Sequence, residues 1–223
     1  MSARDNVLAK IRTSMRVSAS DSDRQKAVAT RLEEAPKGII PGRAKLPKAG
    51  QVDLFCTMAE QFGATLTRVK DYSQVPAETS TYLRARNLPA AIRMGADKRL
   101  KKAKWETEKN LEVRHGASDG NDLAGVSHAM AGIAETGTVA LFSGQDNPTT
   151  INFLPEHHIV VLKATDIKGD MESVWTMVRK HKGKGEMPRA LNLVTGPSRS
   201  GDIEQTILLG AHGPRALHVI VVE

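Results

Sequence analysis

Apolar residues recur along this chain with two different periods, and the changes of period divide it. Between Ala3 and Arg16, Val7, Leu8 and Ile11 fall on one helical stripe while Asp5 and Arg12 lie on the other face, which predicts a helix. A second helix is expected from Ser20 or Asp21, with Ala27, Val28 and Leu32 on its apolar side, stopping before Pro36. The stretch Pro36 to Pro47 carries three prolines and two glycines and reads as a linker or extended arm. A boundary near residue 48 is therefore expected, with 1–47 an N-terminal helical extension and 48–223 an α/β domain.

Beyond that boundary, short β-branched runs alternate with helical stretches. Helices are predicted over Gln51–Gly63, Pro76–Arg86, Met171–Arg179 and Asp202–Leu208. Strands are predicted over Thr65–Val69, Ala90–Met94, Leu111–Arg114, Gly137–Phe142, His158–Leu162, Leu191–Val194 and Leu217–Val222. The continuous apolar run through Gly137–Phe142 suggests a strand covered on both faces. The alternation predicts a mostly parallel sheet flanked by helices.

Composition narrows the chemistry. Of 223 residues, 40% are hydrophobic and 26% charged, enough apolar material for a packed core, although aromatics supply only 4%. No apolar run reaches the ~18 residues of a membrane-spanning helix, and charges occupy the first twenty residues, so a cytoplasmic protein is expected. Cys56 is the single cysteine, which excludes an internal disulfide and a cysteine-ligated iron–sulfur cluster or zinc finger on this chain alone. Its neighbours Leu54, Phe55, Met58 and Phe62 mark it as a core thiol. The net charge of +7 raises nucleic acid as a partner, but the main basic cluster, Lys98 to Lys104, is followed by one Trp105 and then by Glu106 and Glu108. That is poor material for base stacking and better suited to a solvated surface, an acidic partner or an anionic substrate.

Three stretches could carry chemistry. In Leu191–Glu204 an apolar strand runs into Thr195-Gly196-Pro197-Ser198-Arg199-Ser200-Gly201-Asp202, a loop of small and hydroxylated residues expected to open a helix. Backbone N–H groups at such a helix start, the Ser198 and Ser200 hydroxyls and the Arg199 guanidinium form a candidate anion cradle. Gly196 and Gly201 have Walker-loop spacing, but Asp202 and Ile203 stand where Lys and Ser/Thr are required, and Ser200 spoils a nucleophile elbow. Equally, Ser200 capping a helix whose dipole Asp202 and Glu204 complement would explain the loop without a ligand. In Ile133-Ala134-Glu135-Thr136-Gly137-Thr138, the acid is a candidate general base, nucleophile or hydroxyl-binding group, or simply part of a turn. Gly210-Ala211-His212-Gly213-Pro214 offers His212 as a donor or proton exchanger. His157 and His158 are adjacent at a strand start and should point to opposite faces, so no metal site is expected there.

Taken in order, IAETGT, LPEHHIVV and TGPSRSGDIEQTILLGAHGP, preceded by ARDNVLAKIR and VATRLEEAPKGIIP, resemble the LUD-domain family of lactate utilization protein C (LutC/YkgG). The resemblance implies an α/β fold similar to the NagB/RpiA/CoA-transferase architecture. It also implies action beside iron–sulfur partner proteins in oxidising L-lactate to pyruvate, with no cofactor on this chain and the clusters on the partners. Carried over position by position, Thr136, Gly137, Thr138, Gly196, Ser198, Arg199, Ser200 and Asp202 would bind a small carboxylate, with Glu135 or His212 at its hydroxyl as catalytic candidates. Two alternatives stand beside that reading: a stand-alone CoA-transferase-like or sugar-phosphate-isomerase-like enzyme with Glu135 as nucleophile, and a scaffold or regulator.

Overall fold

The structure, a computed structural model, describes residues 2–201 and 207–223, and the chain forms two compact units, Met1–Ile39 and Ile40–Glu223. In the first, α1 (Ala3–Ser14) opens on a capping box: Asp5 N–H donates to Ser2 Oγ at 3.2 Å while the Asp5 carboxylate accepts Ser2 N–H at 2.9 Å. Helix α2 (Ser22–Glu34) is capped by Asp21, which accepts Arg24 N–H at 3.1 Å. Neither helix buries a residue, so Val7, Ile11, Val28 and Leu32 are exposed.

The second unit begins at Ile40, and Ala44 is already buried in it. In chain order it contains α3 (Lys48–Gln61), β1 (Thr65–Val69), α4 (Val75–Ala85), β2 (Ala91–Met94), β3 (Glu112–His115), β4 (Ala124–His128), β5 (Ala131–Ile133) and β6 (Thr138–Phe142). There follow α5 (Thr149–Phe153), β7 (His157–Lys163), β8 (Ile167–Lys168), α6 (Met171–Lys182), β9 (Leu191–Val194), β10 (Arg199–Ser200), β11 (Leu208–Leu209) and β12 (Ala216–Val222). Six strands form a wholly parallel sheet in the order β1-β12-β7-β4-β2-β3. A second sheet, β8-β5-β6-β9, is antiparallel at β5–β6 and β6–β9, and β10 and β11 pair as a small antiparallel hairpin.

The two long apolar strands, β7 and β12, are adjacent at the middle of the parallel sheet, because only a sheet covered on both faces can bury runs such as Val219–Val222. On one face Ile159, Val161, Ile220 and Val222 pack with Val75 and Leu83 of α4. On the other, Val160, Leu162, Val219 and Val221 pack with Phe55 and Ala59 of α3 and with Val139 and Leu141 of β6. The second sheet turns its outer face, Ala131, Ile133 and Ala140, to Val174 of α6. The mostly parallel α/β sheet flanked by helices is thus present, with a second sheet that periodicity did not announce.

Two expectations are corrected, and the low value set on Trp105 for stacking agrees with its placement. The run through Phe142 is buried, but β6 joins the second sheet and pairs antiparallel on both sides, as does Leu191–Val194 on its one side. The helix expected over Asp202–Leu208 falls on residues 202–206, outside the described residues, and its last position, Leu208, is in β11. Trp105, far from offering a stacking face, is buried with its Nε1–H donating to the Leu100 carbonyl at 2.9 Å. Among the described residues no helix is long and apolar enough to cross a membrane.

One close approach positions the loops considered below. Gly137 has φ +64°, and a Cβ there would overlap the backbone of Met58 and Ala59 in α3. Gly137→Ala is expected to cost at least about 2 kcal/mol in urea denaturation. Gly144→Ala, whose Cβ meets no heavy atom within 4 Å, should stay within about 0.5 kcal/mol of wild type.

Candidate functional site

The antiparallel pairing of Val139 with Val194 brings the loop before β6 beside the loop after β9. Hydroxyls join them: Thr138 Oγ1 lies 2.7 Å from both Thr136 Oγ1 and Thr195 Oγ1. The second loop presses on the end of α3 at Gly196, φ +67°, where a Cβ would overlap the Phe62 carbonyl. Arg199 donates to that same carbonyl at 3.1 Å. Ser198 ties in the third stretch: its N–H donates to the Pro214 carbonyl at 2.8 Å, its carbonyl accepts Gly210 N–H at 3.0 Å, and its Oγ accepts His212 N–H at 3.4 Å.

These loops wall a cavity of about 260 Å³, lined by Thr195–Arg199, by His212–Pro214, by Asn152 and Phe153 of α5, and by His158 and Leu217. His158 and Leu217 are second residues of β7 and β12, which places the cavity at the amino ends of the parallel strands. The floor is polar and connected. Ser127 Oγ donates to Asn152 Oδ1 at 2.8 Å and lies 3.0 Å from His158 Nε2. With the Ser127 proton committed to Asn152, Nε2 must be the donor in the second bond, which leaves Nδ1 of the neutral ring as an acceptor. Burial pushes the His158 pKa down to about 3, so the ring is neutral at physiological pH.

Among the described residues four buried side-chain polar atoms make no hydrogen bond, and two of them, Asn152 Nδ2 and His158 Nδ1, sit on residues that line this cavity. A buried polar group without a partner costs ~1–3 kcal/mol. A second cavity of about 340 Å³, near the carboxyl ends of β2 and β4, differs in this respect. There Arg99 is bonded to Asp97 and to the carbonyls of His128 and Ala129, and His128 sits between Tyr72 Oη and the Ala129 carbonyl.

The structure brings some of the expected residues together and separates others. Gly196, Ser198, Arg199 and His212 share the cavity lining, and Thr136 and Thr138 reach it through Thr195. Glu135 lines neither cavity. It is buried, and its carboxylate accepts the Met171 N–H at 2.8 Å, so it holds the first turn of α6 instead. Gly137 serves the contact with α3, Ser200 pairs with Leu208 in the hairpin, and Asp202 lies outside the described residues. The helix-start cradle is not formed by the described residues, because Ser198 N–H is bonded to Pro214 and Arg199–Ser200 are extended. Adjacent His157 and His158 do face apart, the first to Tyr82 Oη at 2.9 Å and the second to Ser127.

Residues 28–222 match the family model of the LUD domain. The chain belongs to the LUD domain family. Lactate utilization protein C of Geobacillus sp. (strain WCH70) is 35% identical over 117 residues, 52% of this chain and 46% of that protein. Its namesake from Bacillus subtilis (strain 168) is 32% identical over 119 residues, 52% of this chain and 49% of the other. The aligned stretches thus span about half the length of these relatives. A DUF162 family protein from Deinococcus radiodurans has a crystal structure similar in fold, with TM-score 0.58 and 23% identity over 80% of this chain and 99% of that one.

Ser127, Asn152 and His158, whose side chains are linked at this cavity, were not singled out together by the sequence. The available signal was weak: a polar residue inside the apolar Ile151-Asn152-Phe153, and a histidine entering a strand. Their arrangement has a pH signature. His158 is held to about 3, and His128 and His218 to about 4, chiefly by burial, against an unfolded value near 6.5. The unfolded chain takes up these protons first, so stability should fall as pH drops from about 6.5 toward 4 and be level in this respect above 7. Denaturation between pH 7.5 and 4.5 should show His158→Gln losing close to one proton's worth of that slope, about 1.4 kcal/mol per pH unit. An unchanged slope would contradict the assignment of a buried neutral ring.

Proposed function

We propose that this protein is the non-redox, substrate-holding subunit of a complex that oxidises L-lactate to pyruvate through iron–sulfur partner proteins. The observation that carries the reading is a small cavity with Arg199 and His212 in its wall, in a LUD domain whose relatives are named for lactate utilization. At about 260 Å³ the cavity is below the ~300 Å³ low end of drug-sized sites and suits a metabolite of few heavy atoms. Arg199 supplies the counter-charge for a carboxylate, with guanidinium donors beyond the one given to Phe62.

The chain's residues do not fit an iron–sulfur cluster. Cluster ligation needs several thiolates, whereas Cys56 is the single cysteine and burial raises its thiol to about 11. Oxidation of the alcohol removes two electrons and two protons, and in this reading the electrons leave through groups on the partners. The part left to this chain is to bind and orient the acid. Glu135 as a covalent nucleophile finds no support in its placement, since its carboxylate is engaged with the α6 backbone and lines neither cavity.

Purified alone, the protein should show no lactate oxidation with an artificial electron acceptor, and activity should appear on adding its cysteine-rich partners. In that reconstituted complex, Arg199→Ala should raise KM for lactate about tenfold, the loss of one charge-assisted hydrogen bond. Glu135→Gln should keep the wild-type kcat/KM and cost about 1 kcal/mol in stability. Lactate oxidation by the isolated chain, or abolition of activity by Glu135→Gln with the fold intact, would contradict the reading.

A further inference from the structure

We propose that the cavity at the carboxyl ends of β2 and β4 binds an organic phosphate through the ammonium groups of Lys182 and Lys102. The site goes beyond the functional reading above and does not rest on it, since the cavity walled by Arg199 lies at the opposite, amino ends of the parallel strands. In open α/β sheets the carboxyl ends of the strands are where ligands bind. Here about 340 Å³ is enclosed by Asp97 and Arg99 from the loop after β2, by His128 at the end of β4, by residues 142–147, and by His181 and Lys182 of α6. Two close contacts fix the loop wall. A Cβ on Gly95 would overlap the Asp146 carbonyl, and Asn147 Nδ2 donates to the Phe142 carbonyl at 2.9 Å.

Two basic runs far apart in sequence converge on this cavity. The run Lys98–Lys104, which the Arg199 cavity leaves unused, reaches it through Arg99 and Lys102. Burial and then Arg99 lower the His128 pKa to about 4, and Lys102 adds to them, which places its charge close to the cavity wall. The last turn of α6 carries Arg179, Lys180, His181 and Lys182, all exposed. Lys182 Nζ lies 5.2 Å from the centroid of the Phe142 ring and His181 packs on that ring at 5.3 Å, so both lie over a residue of the lining. Among the described residues no ion pair involves Lys102, Arg179, Lys180 or Lys182. The Arg99 fork, by contrast, is engaged with Asp97 and with the carbonyls of His128 and Ala129. What the rim offers are ammonium groups, compact charges that suit a multiply charged, tetrahedral phosphate better than a planar carboxylate. Two features oppose an anion: the carbonyl end of α6, whose dipole its own basic residues offset, and Asp146, an exposed acid that solvent screens. Asp97 is neutralised by Arg99 at 2.6 Å. A phosphate group fills only part of the cavity, and Phe142 and Gln145 border the volume left for an organic part.

Calorimetric titration of the intact chain at low ionic strength with phenyl phosphate, inorganic phosphate and malonate tests this directly. Phenyl phosphate should bind with a Kd of about 1 mM or tighter, inorganic phosphate at least about threefold more weakly, and malonate, a dicarboxylate, more weakly again. Lys182→Gln, which keeps the stem over Phe142, should weaken phenyl phosphate at least about fivefold, and Lys102→Gln at least about threefold, while circular dichroism shows the fold retained. Lys10→Gln on α1 removes the same charge elsewhere and should leave the affinity within about twofold of wild type. Absence of phenyl phosphate binding at millimolar concentration would overturn the proposal. So would an affinity that Lys10→Gln lowers as much as Lys182→Gln does, the mark of net charge acting without a site. Malonate binding as tightly as phosphate would overturn the choice of phosphate, and equal affinity for phenyl and inorganic phosphate would overturn the organic part. Arg199→Ala should leave phenyl phosphate binding unchanged, which keeps this result separate from the fate of the lactate reading.

Discussion

The site depends on backbone-to-backbone contact between two loops and one end of α3. Gly137 and Gly196 both adopt positive φ, and both lie where a Cβ would enter the helix's own backbone, at Met58 and Ala59 or at Phe62. A contact that admits hydrogen alone fixes each loop to within a fraction of an ångström, because protein interiors have little slack to absorb a methyl group. Thr138 then couples the two loops through hydroxyls, and Ser198 couples the second to residues 210–214. Three stretches far apart in sequence meet on one rim by this route.

Beneath the rim, the parallel sheet supplies what the loops lack. Ser127 on β4 and His158 on β7 are buried where the two strands pair, and α5 places Asn152 against Ser127. Rigid strands position such groups more sharply than loops do, and burial suppresses ionisation of the imidazole. The division of labour is physical: the loops give charge and shape, and the strands give directional hydrogen bonding.

Much of the fold was legible because the long elements follow one period without interruption. The stretches Thr65–Val69 and Leu191–Val194 appear as strands at the expected residues, and α4, α6 and β7 differ from expectation only at their ends. What escaped was short or depended on pairing. Ala124–His128 contains glycine, serine and histidine, and Ala131–Ile133 is three residues long, so neither carries a strand pattern of its own; both are strands because neighbours complete them. The antiparallel second sheet is a property of partners, which periodicity cannot name. Arg199, Ser198 and His212 were visible from their glycine-rich surroundings, whereas Glu135, equally prominent in sequence, turned out to hold a helix terminus. Asn152 and His158 sit among apolar residues like ordinary core positions, and only the structure shows a cavity beside them.

Everything said about lactate recognition converges on the guanidinium of Arg199 in the cavity wall. Calorimetric titration of L-lactate into the wild-type protein and into Arg199→Ala reads that contact directly. The account predicts that wild type binds lactate and that Arg199→Ala binds it about tenfold more weakly with the fold retained. Equal affinity in the two proteins, or no binding by wild type, would contradict it.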